Sequence, residues 1–291
     1  MLEVDRHIND ILIDKLSLLE AHFDADALFY YGVIHPGYIK LFRDFIEELA
    51  AQKPPRKRLA ILLNTNGGDV ETAEKMVQIM RYHYNEVYFI VPDYAMSAGT
   101  ILCMSGNKIY MDYSSSLGPI DPQLRKGEGK NLKYVPALGY LDKMNELVEK
   151  SANDILTPAE LAMLLNMDLA ELRQYEQARD LSVVLLKTWL VKYKFNDWTT
   201  HRTNPKRKGQ AVTKADKNRR ATTIAKKLSD NKIWRSHSRN IDIEALKELR
   251  LEIGDYSSDN KLRELIRSYN DVILDYLTKN GWSFYLHSKI F

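Results

Sequence analysis

"LAILLNTNGGDVETAEKM", residues 59–76, holds the pattern that decides the fold. Residues 59–64 form a near-continuous apolar run, which is typical of a strand buried on both faces of a parallel sheet. Two adjacent glycines, Gly67 and Gly68, follow this run and lead into a helical pattern with an acidic start. Such a turn exposes backbone N–H groups, which can bind phosphate, pyrophosphate or the oxyanion of an acyl-transfer intermediate.

The residues after the glycines argue against phosphate. A P-loop requires Lys and then Ser or Thr, whereas Asp69, Val70 and Glu71 follow Gly68 here. Two carboxylates at this position would repel a phosphate. A dinucleotide-binding turn requires three spaced glycines, and only two are present. Two interpretations of the glycines therefore remain: they form part of an oxyanion hole, or they serve only the turn.

The surrounding sequence alternates between strand and helix patterns. Apolar runs at 27–32, 86–91 and 108–111 indicate further strands, and the segments 37–52 and 70–83 have helical periodicity. Strand–helix–strand repetition with short links predicts a parallel sheet with right-handed crossovers.

Beyond residue 136 the pattern is mainly helical. The first of these helices begins with a capping box formed by Thr157 and Glu160. Helical segments are predicted near 157–164, 168–195, 213–229, 242–252 and 259–279.

A serine follows the strand predicted at 86–91. "AMSAGT", residues 95–100, has Ser97 between small residues at the start of a short helix, where the helix dipole is positive. The turns after neighbouring parallel strands lie at the same edge of a sheet, so Ser97 and the two glycines can share one crevice. A serine that merely caps the helix is the structural alternative.

A rigid segment follows the strand predicted at 108–111. In "SSSLGPIDPQL", residues 114–124, Gly118–Pro119 and Asp121–Pro122 force a turn and keep the chain extended. We expect this segment to line a peptide groove together with Gly67, or to present Asp121 to the site.

Composition restricts the function classes. The chain has 291 residues, is 45% hydrophobic and carries a net charge of +3, so it can bury a large core. Its single cysteine, Cys103, excludes an intrachain disulfide and fits a cytoplasmic location. The N-terminus has no uninterrupted apolar core of a signal peptide, and no stretch is long enough for a membrane span.

Residues 202–239 hold thirteen Lys and Arg against two Asp, which we interpret as a solvated basic face because nucleic-acid contact would require aromatic interleaving.

Three motifs in order carry a family resemblance. "NTNGGDV", "AMSAGT" and "KIYMDYSSSLGPIDPQL" resemble the ClpP/crotonase-like serine peptidases, and within them the serine dehydrogenase proteinase family, related to signal peptide peptidase A. The resemblance implies an α/β fold: a ClpP/crotonase-like spiral of ββα units with a largely helical C-terminal part. It implies a catalytic core at 1–135 and, at 136–291, a helical region that completes the core and mediates oligomerisation or partner docking. It also implies a homo-oligomer, a peptide or protein substrate, and neither a metal nor an organic cofactor.

The resemblance also assigns roles to residues. It makes Ser97 the nucleophile and gives the oxyanion hole the N–H groups of Gly68 and Ala98. By position in the family pattern, Asp121 and His237 complete a triad in the chain order Ser, Asp, His.

The general base has alternatives. A serine hydroxyl requires a partner within hydrogen-bond reach to become a nucleophile. His201 is a second candidate histidine in the helical half. A Ser–Lys dyad is the main rival, since relatives of signal peptide peptidase A use a desolvated lysine, and Lys133 and Lys143 follow the serine at suitable spacing.

The sequence thus predicts a serine endopeptidase that hydrolyses peptide bonds through a Ser97 acyl-enzyme. The alternative is a catalytically inactive relative that binds peptides or serves as a scaffold. A third hypothesis, crotonase-type acyl-CoA chemistry, shares the oxyanion hole, but no segment suggests a CoA site.

Overall fold

The computed structural model of the chain describes residues 3–121, 123–126, 133–202 and 206–290, with the backbone alone described for 123–126 and 133–138. The strands within these ranges are Asp26–Tyr31 (β1), Arg58–Asn64 (β2), Glu86–Ile90 (β3), Tyr94–Ala95 (β4), Lys108–Met111 (β5), Ser116–Leu117 (β6), Gln123–Lys126 (β7), Lys133–Pro136 (β8), Gly254–Asp255 (β9) and Tyr285–His287 (β10). The α-helices are Glu3–Phe23 (α1), Ile39–Ala50 (α2), Val70–His83 (α3), Ala98–Cys103 (α4), Ala137–Ala152 (α5), Pro158–Leu165 (α6), Leu169–Trp189 (α7), Lys214–Leu228 (α8), Asn231–Trp234 (α9), Ile243–Glu248 (α10) and Asn260–Asn280 (α11).

A six-stranded sheet in the described ranges has the order β10–β1–β2–β3–β5–β9. Its neighbours run parallel except for β10, which pairs antiparallel with β1. Strands β4 and β6 form a small parallel pair of their own, and β7 and β8 form an antiparallel hairpin. The carboxyl ends of the parallel strands therefore meet at one edge of the sheet.

Side chains of the central strands alternate between two cores. In β2, Leu59, Ile61 and Leu63 join the core packed under α2, α3, α4, α7 and α8, while Ala60 and Leu62 join the core under α1 and α11. Period-two alternation with both faces covered explains why the run 59–64 is apolar throughout.

The predicted helices and strands agree with the structure except at several ends. The helix predicted at 242–252 stops at Glu248, because Arg250 adopts a left-handed conformation with φ +58°. The helix predicted at 168–195 is α-helical to Trp189 and then continues as a π-helical turn. The sequence analysis did not identify α1, α5, α9, β4 or the strands β6 to β10.

Helices α5 and α7 share a small core of their own. Leu141 and Tyr175 are its buried members, with Tyr140 and Leu172 packed beside them. Helix α6 has the predicted capping box at Thr157 and contains no buried residue.

Candidate active site

Four chain segments converge at the carboxyl edge of the sheet. They are joined by a ladder of backbone pairs that runs from Thr65 through Ala95 and Leu117 to Ile241. The first two links are parallel and the last is antiparallel. This ladder brings the Gly-Gly turn, the serine, the rigid segment and the histidine segment side by side.

Ser97 has a strained backbone and an unbonded hydroxyl. Its φ and ψ are 52° and −116°, a region that non-glycine residues rarely adopt and that costs about 1–3 kcal/mol. Although Ser97 precedes α4, its side chain makes no capping hydrogen bond. Among the residues that the structure describes, Ser97 Oγ has no hydrogen-bond partner, and the residue is partly exposed. The helix-capping interpretation therefore does not account for this serine.

The two glycines of the opening motif differ in what their amides do. Gly67 is buried with φ +95°, and its N–H donates to Thr65 Oγ1 over 3.0 Å. A Cβ on Gly67 would lie 2.8 Å from Ser97 Cβ, so only glycine allows this approach. Gly68 has φ +146°, and a Cβ there would collide with the Ile34 carbonyl oxygen. Gly68 is exposed, and its N–H has no acceptor in the described ranges.

A second free amide lies beside Ser97. Ala98 begins α4, and its N–H has no acceptor within the part of the chain that the structure describes. It lies 3.1 Å from the position that a Cβ on Gly67 would take. Within the described ranges, Gly68 and Ala98 thus supply two unbonded N–H donors, a type of group that can hold an oxyanion.

Asp121 and His237 form a partly buried pair. His237 Nδ1 and Asp121 Oδ1 are 3.0 Å apart, and the two side chains are 16% and 4% exposed. The antiparallel pair Leu117–Ile241 explains the meeting, because Asp121 lies four residues after Leu117 and His237 four residues before Ile241. A carboxylate only accepts hydrogen bonds, so a proton on Nδ1 completes this contact, and in the neutral ring with that tautomer Nε2 has the lone pair.

The rigid segment is fixed to the serine segment. Gly118 N–H donates to Thr100 Oγ1 over 2.9 Å, and that hydroxyl lies 2.8 Å from the carbonyl oxygen of Ala95. Gly118 and Pro119 are buried, and a Cβ on Gly118 would lie 2.8 Å from Met96 Sδ. Gly118 therefore lies alongside Met96, the residue that precedes Ser97.

A shallow cavity of about 470 Å³ flanks His237. Its lining residues are Ser236, Ser238, Arg239 and Asn240.

The other candidate bases have different surroundings. Lys143 lies on α5, half exposed, with Nζ 2.9 Å from Glu146 Oε1. The side chain of Lys133 lies outside the described residues. His201 is buried beside Trp198 and Asp216, in a cavity that contains none of Ser97, Asp121 and His237.

Sequence analysis missed two threonines that build the site. The Thr65 hydroxyl accepts a hydrogen bond from the Gly67 N–H. The Thr100 hydroxyl lies within hydrogen-bond distance of the Ala95 carbonyl oxygen and accepts from the Gly118 N–H, so it connects the two segments. Thr65 stands two residues before Gly67, a spacing at which a hydroxyl can bond the backbone, so this signal was available.

The described ranges contain neither a membrane-spanning helix nor a cluster of metal ligands. No helix there combines the length and apolar character needed to cross a membrane. Likewise, no three His, Cys, Asp or Glu residues there are grouped as a metal ion would require.

Comparisons with known proteins identify relatives. The family of ClpP-like SDH-type serine proteinases matches residues 45–196, more than half of the chain. The uncharacterized protein MJ0137 of Methanocaldococcus jannaschii is 41% identical over 71 residues, which is 24% of this chain and 25% of that protein. The uncharacterized protein MJ1495 of the same organism is 24% identical over 246 residues, or 84% of this chain and 68% of that protein. The match to MJ0137 thus spans only a quarter of that relative.

Two solved structures are also similar. Both are variants of the 1510-N membrane-bound stomatin-specific protease, one with serine changed to alanine and one with lysine changed to alanine in complex with a substrate peptide. They cover 43% of this chain at 22% and 24% identity, with TM-scores of 0.32 and 0.33, and the match covers 62% and 59% of their own chains. The predicted α/β fold class of ClpP/crotonase type and the predicted family are confirmed by the family match.

Proposed function

Because the chain belongs to the ClpP-like SDH-type serine proteinase family, we propose that it is a serine endopeptidase with Ser97 as its nucleophile. Family membership supports a peptidase in general. The observation that carries the finer proposal is a strained, unbonded serine beside two free amides. An active-site serine requires this exposure, whereas a structural serine gains nothing from it.

Each proposed residue has a defined part in the reaction. His237 Nε2 accepts the proton of Ser97 Oγ as that oxygen attacks the carbonyl carbon of the scissile peptide. Asp121 holds the proton on Nδ1 and stabilises the imidazolium. The N–H groups of Gly68 and Ala98 donate to the oxyanion of the tetrahedral intermediate.

Collapse of the intermediate breaks the C–N bond, and His237 gives its proton to the leaving amine. An acyl-enzyme remains on Ser97 Oγ. Water then attacks the ester carbonyl while His237 accepts a proton from it, and Ser97 regains its own proton as the carboxylic acid leaves.

We propose that the substrate is an extended peptide. The exposed Gly68 and the partly exposed Ser97 support a groove at this edge of the sheet, with Gly67, Gly118 and Pro119 as its buried floor. A peptide strand lying there would bring its carbonyl close to the serine without meeting a Cβ.

The test is covalent labelling with a fluorophosphonate probe, which reacts with activated serines. We expect the wild type to be labelled and Ser97→Ala to remain unlabelled. Ser151→Ala removes an exposed serine of α5 and should label like the wild type. A folded wild type that never reacts would contradict the peptidase and favour the inactive peptide-binding relative.

The role of the helical region is a related proposal. Helix α6 buries none of its residues, and Ile155, Met163, Leu165 and Leu169 around it are at least 61% exposed. We propose that residues 136–291 add this surface to the catalytic core at 1–135 and that it joins copies of the chain into a homo-oligomer. Light scattering of Leu165→Glu should show a smaller particle than the wild type, and an unchanged mass would contradict the proposal.

A cytoplasmic location completes the proposal. Cys103 is a free, buried thiol whose pKa is raised by burial, so it suits a reducing compartment.

A further inference from the structure

A second cavity, separate from the candidate active site, is lined by arginines. It has a volume of about 420 Å³, and we call it the arginine cavity. Five arginines and a single acid, Asp216, contribute to its lining, together with Trp198 and His201. The arginines are Arg202, Arg207, Arg219, Arg220 and Arg250.

The acid neutralises only part of this charge. Asp216 accepts from both terminal nitrogens of Arg207, at 2.5 and 3.1 Å, and from Arg219 at 2.6 Å. It also accepts from the backbone and hydroxyl of Thr213, so its oxygens are fully used. Within the described ranges, Arg220 and Arg250 have no acidic partner.

The remaining arginine is paired weakly. Arg202 lies 3.9 Å from Glu252, and both side chains are largely exposed. An exposed ion pair at this distance contributes little free energy. Three cations of the cavity are therefore available to an anion.

His201 adds a buried polar atom without a partner. The residue is 7% exposed, and its Nε2 makes no hydrogen bond in the part of the chain that the structure describes. The nearest carboxylate oxygen, on Asp216, is 3.6 Å away, which is too long for a hydrogen bond. A buried ring nitrogen is expected to find a partner, and a ligand oxygen in the cavity would supply it.

The fold keeps arginines here against local preference. Burial, and then the neighbouring charges of Arg250 and Arg219, lower the pKa of the Arg220 guanidinium. Arg250 lies at the left-handed position that follows α10, where its N–H donates to the Lys247 carbonyl and Leu251 N–H donates to the Leu246 carbonyl. This Schellman arrangement normally carries glycine. Like charges held together in this way are stabilised when an anion lies between them.

We propose that the arginine cavity binds a small phosphorylated anion, held by Arg202, Arg220, Arg250 and His201 Nε2. The planar guanidinium fork matches two oxygens of a phosphate group. The cavity volume falls within the range of small-molecule sites, and Trp198 gives the non-phosphate part of the ligand an apolar wall. The proposal does not depend on peptidase activity.

The structure provides a variant that separates binding from folding. Arg250→Gly removes one guanidinium and places glycine at a positive φ, so its melting temperature should equal or exceed that of the wild type. Arg235→Gly is the matched control, because Arg235 also has a positive φ, of 62°, and does not line the cavity. Both substitutions remove one positive charge.

The measurement is calorimetric titration of the full chain with pyrophosphate in about 0.15 M NaCl, where surface charges are largely screened. We expect saturable one-to-one binding to the wild type and to Arg235→Gly. Arg250→Gly and Arg220→Ala should each bind pyrophosphate at least about tenfold more weakly than the wild type, because each variant loses one charge-assisted hydrogen bond to the ligand. Absence of saturable binding to the wild type, or equal weakening in Arg250→Gly and Arg235→Gly, would overturn the proposal.

Discussion

The Asp121–His237 pair gives the sharpest prediction. Asp121→Asn keeps the shape of the side chain and removes its charge from a position 3.0 Å from His237 Nδ1. Two opposite unit charges about 3 Å apart attract by about 5 kcal/mol at an effective dielectric constant of ~20. Because the imidazolium exists only while His237 holds the serine proton, this attraction lowers the reaction barrier. Its loss corresponds to a rate lower by about 10⁴.

The assay is the second-order rate of fluorophosphonate labelling, with circular dichroism to show that the variant is folded. Asp242→Asn is the control, since Asp242 follows Ile241 and caps α10 through Ala245 N–H, and asparagine caps a helix as well as aspartate. It should label at the wild-type rate. A folded Asp121→Asn protein that labels within about tenfold of the wild type would refute the proposed role of the pair.

Two further predictions concern the backbone and the pH dependence of stability. Gly68→Ala places a Cβ against the Ile34 carbonyl and displaces a proposed oxyanion donor, so the labelling rate should fall by about 10²–10³. Gly281→Ala, at φ +67° in open space, should affect only stability. Equal labelling rates for the two variants would contradict this prediction. Burial lowers the pKa of His287 from 6.5 to about 4. Between these two pH values the folded state binds fewer protons than the unfolded state, so the free energy of unfolding falls as the pH falls. Urea unfolding should show a loss from pH 7 to pH 4 that is about 3 kcal/mol smaller in His287→Asn than in the wild type, and equal losses would count against the assignment.

Local patterns were sufficient to predict the Ser97 half of the candidate site. The apolar run 59–64, the Gly-Gly turn and the small residues around Ser97 each report their own strand, turn or helix, and the structure has them at those positions. The capping box at Thr157 was equally legible. These features depend on neighbours within a few residues, which is the range over which sequence patterns carry information.

The contact between Asp121 and His237 could not be predicted in this way. Asp121 and His237 were paired only through the family resemblance, because the contact depends on the register of the Leu117–Ile241 bridge between distant segments. Hydrophobic periodicity within one segment does not predict how that segment aligns with a distant one. Their catalytic roles stay predictions, although the structure brings the two side chains together.

Charge patterning did not reveal the arginine cavity. The sequence analysis interpreted 202–239 as a solvated face, and most of its Lys and Arg side chains are exposed, but four of its arginines also join Arg250 around one cavity. A count of charges along the chain does not report concavity, and Arg250 lies outside the counted window. Strand β10 was missed for a similar reason, since three residues at a sheet edge are too few for a pattern.

The ladder from Thr65 to Ile241 has a consequence for the order in which the site forms. Its serine half lies within two consecutive βα units, whereas Asp121 and His237 are 116 positions apart. Closing so long a loop is slow, and during synthesis the later segment emerges last. We expect a nascent chain to expose Ser97 before His237 is in place, so that the proposed triad is complete only after the C-terminal half of the chain has been synthesised.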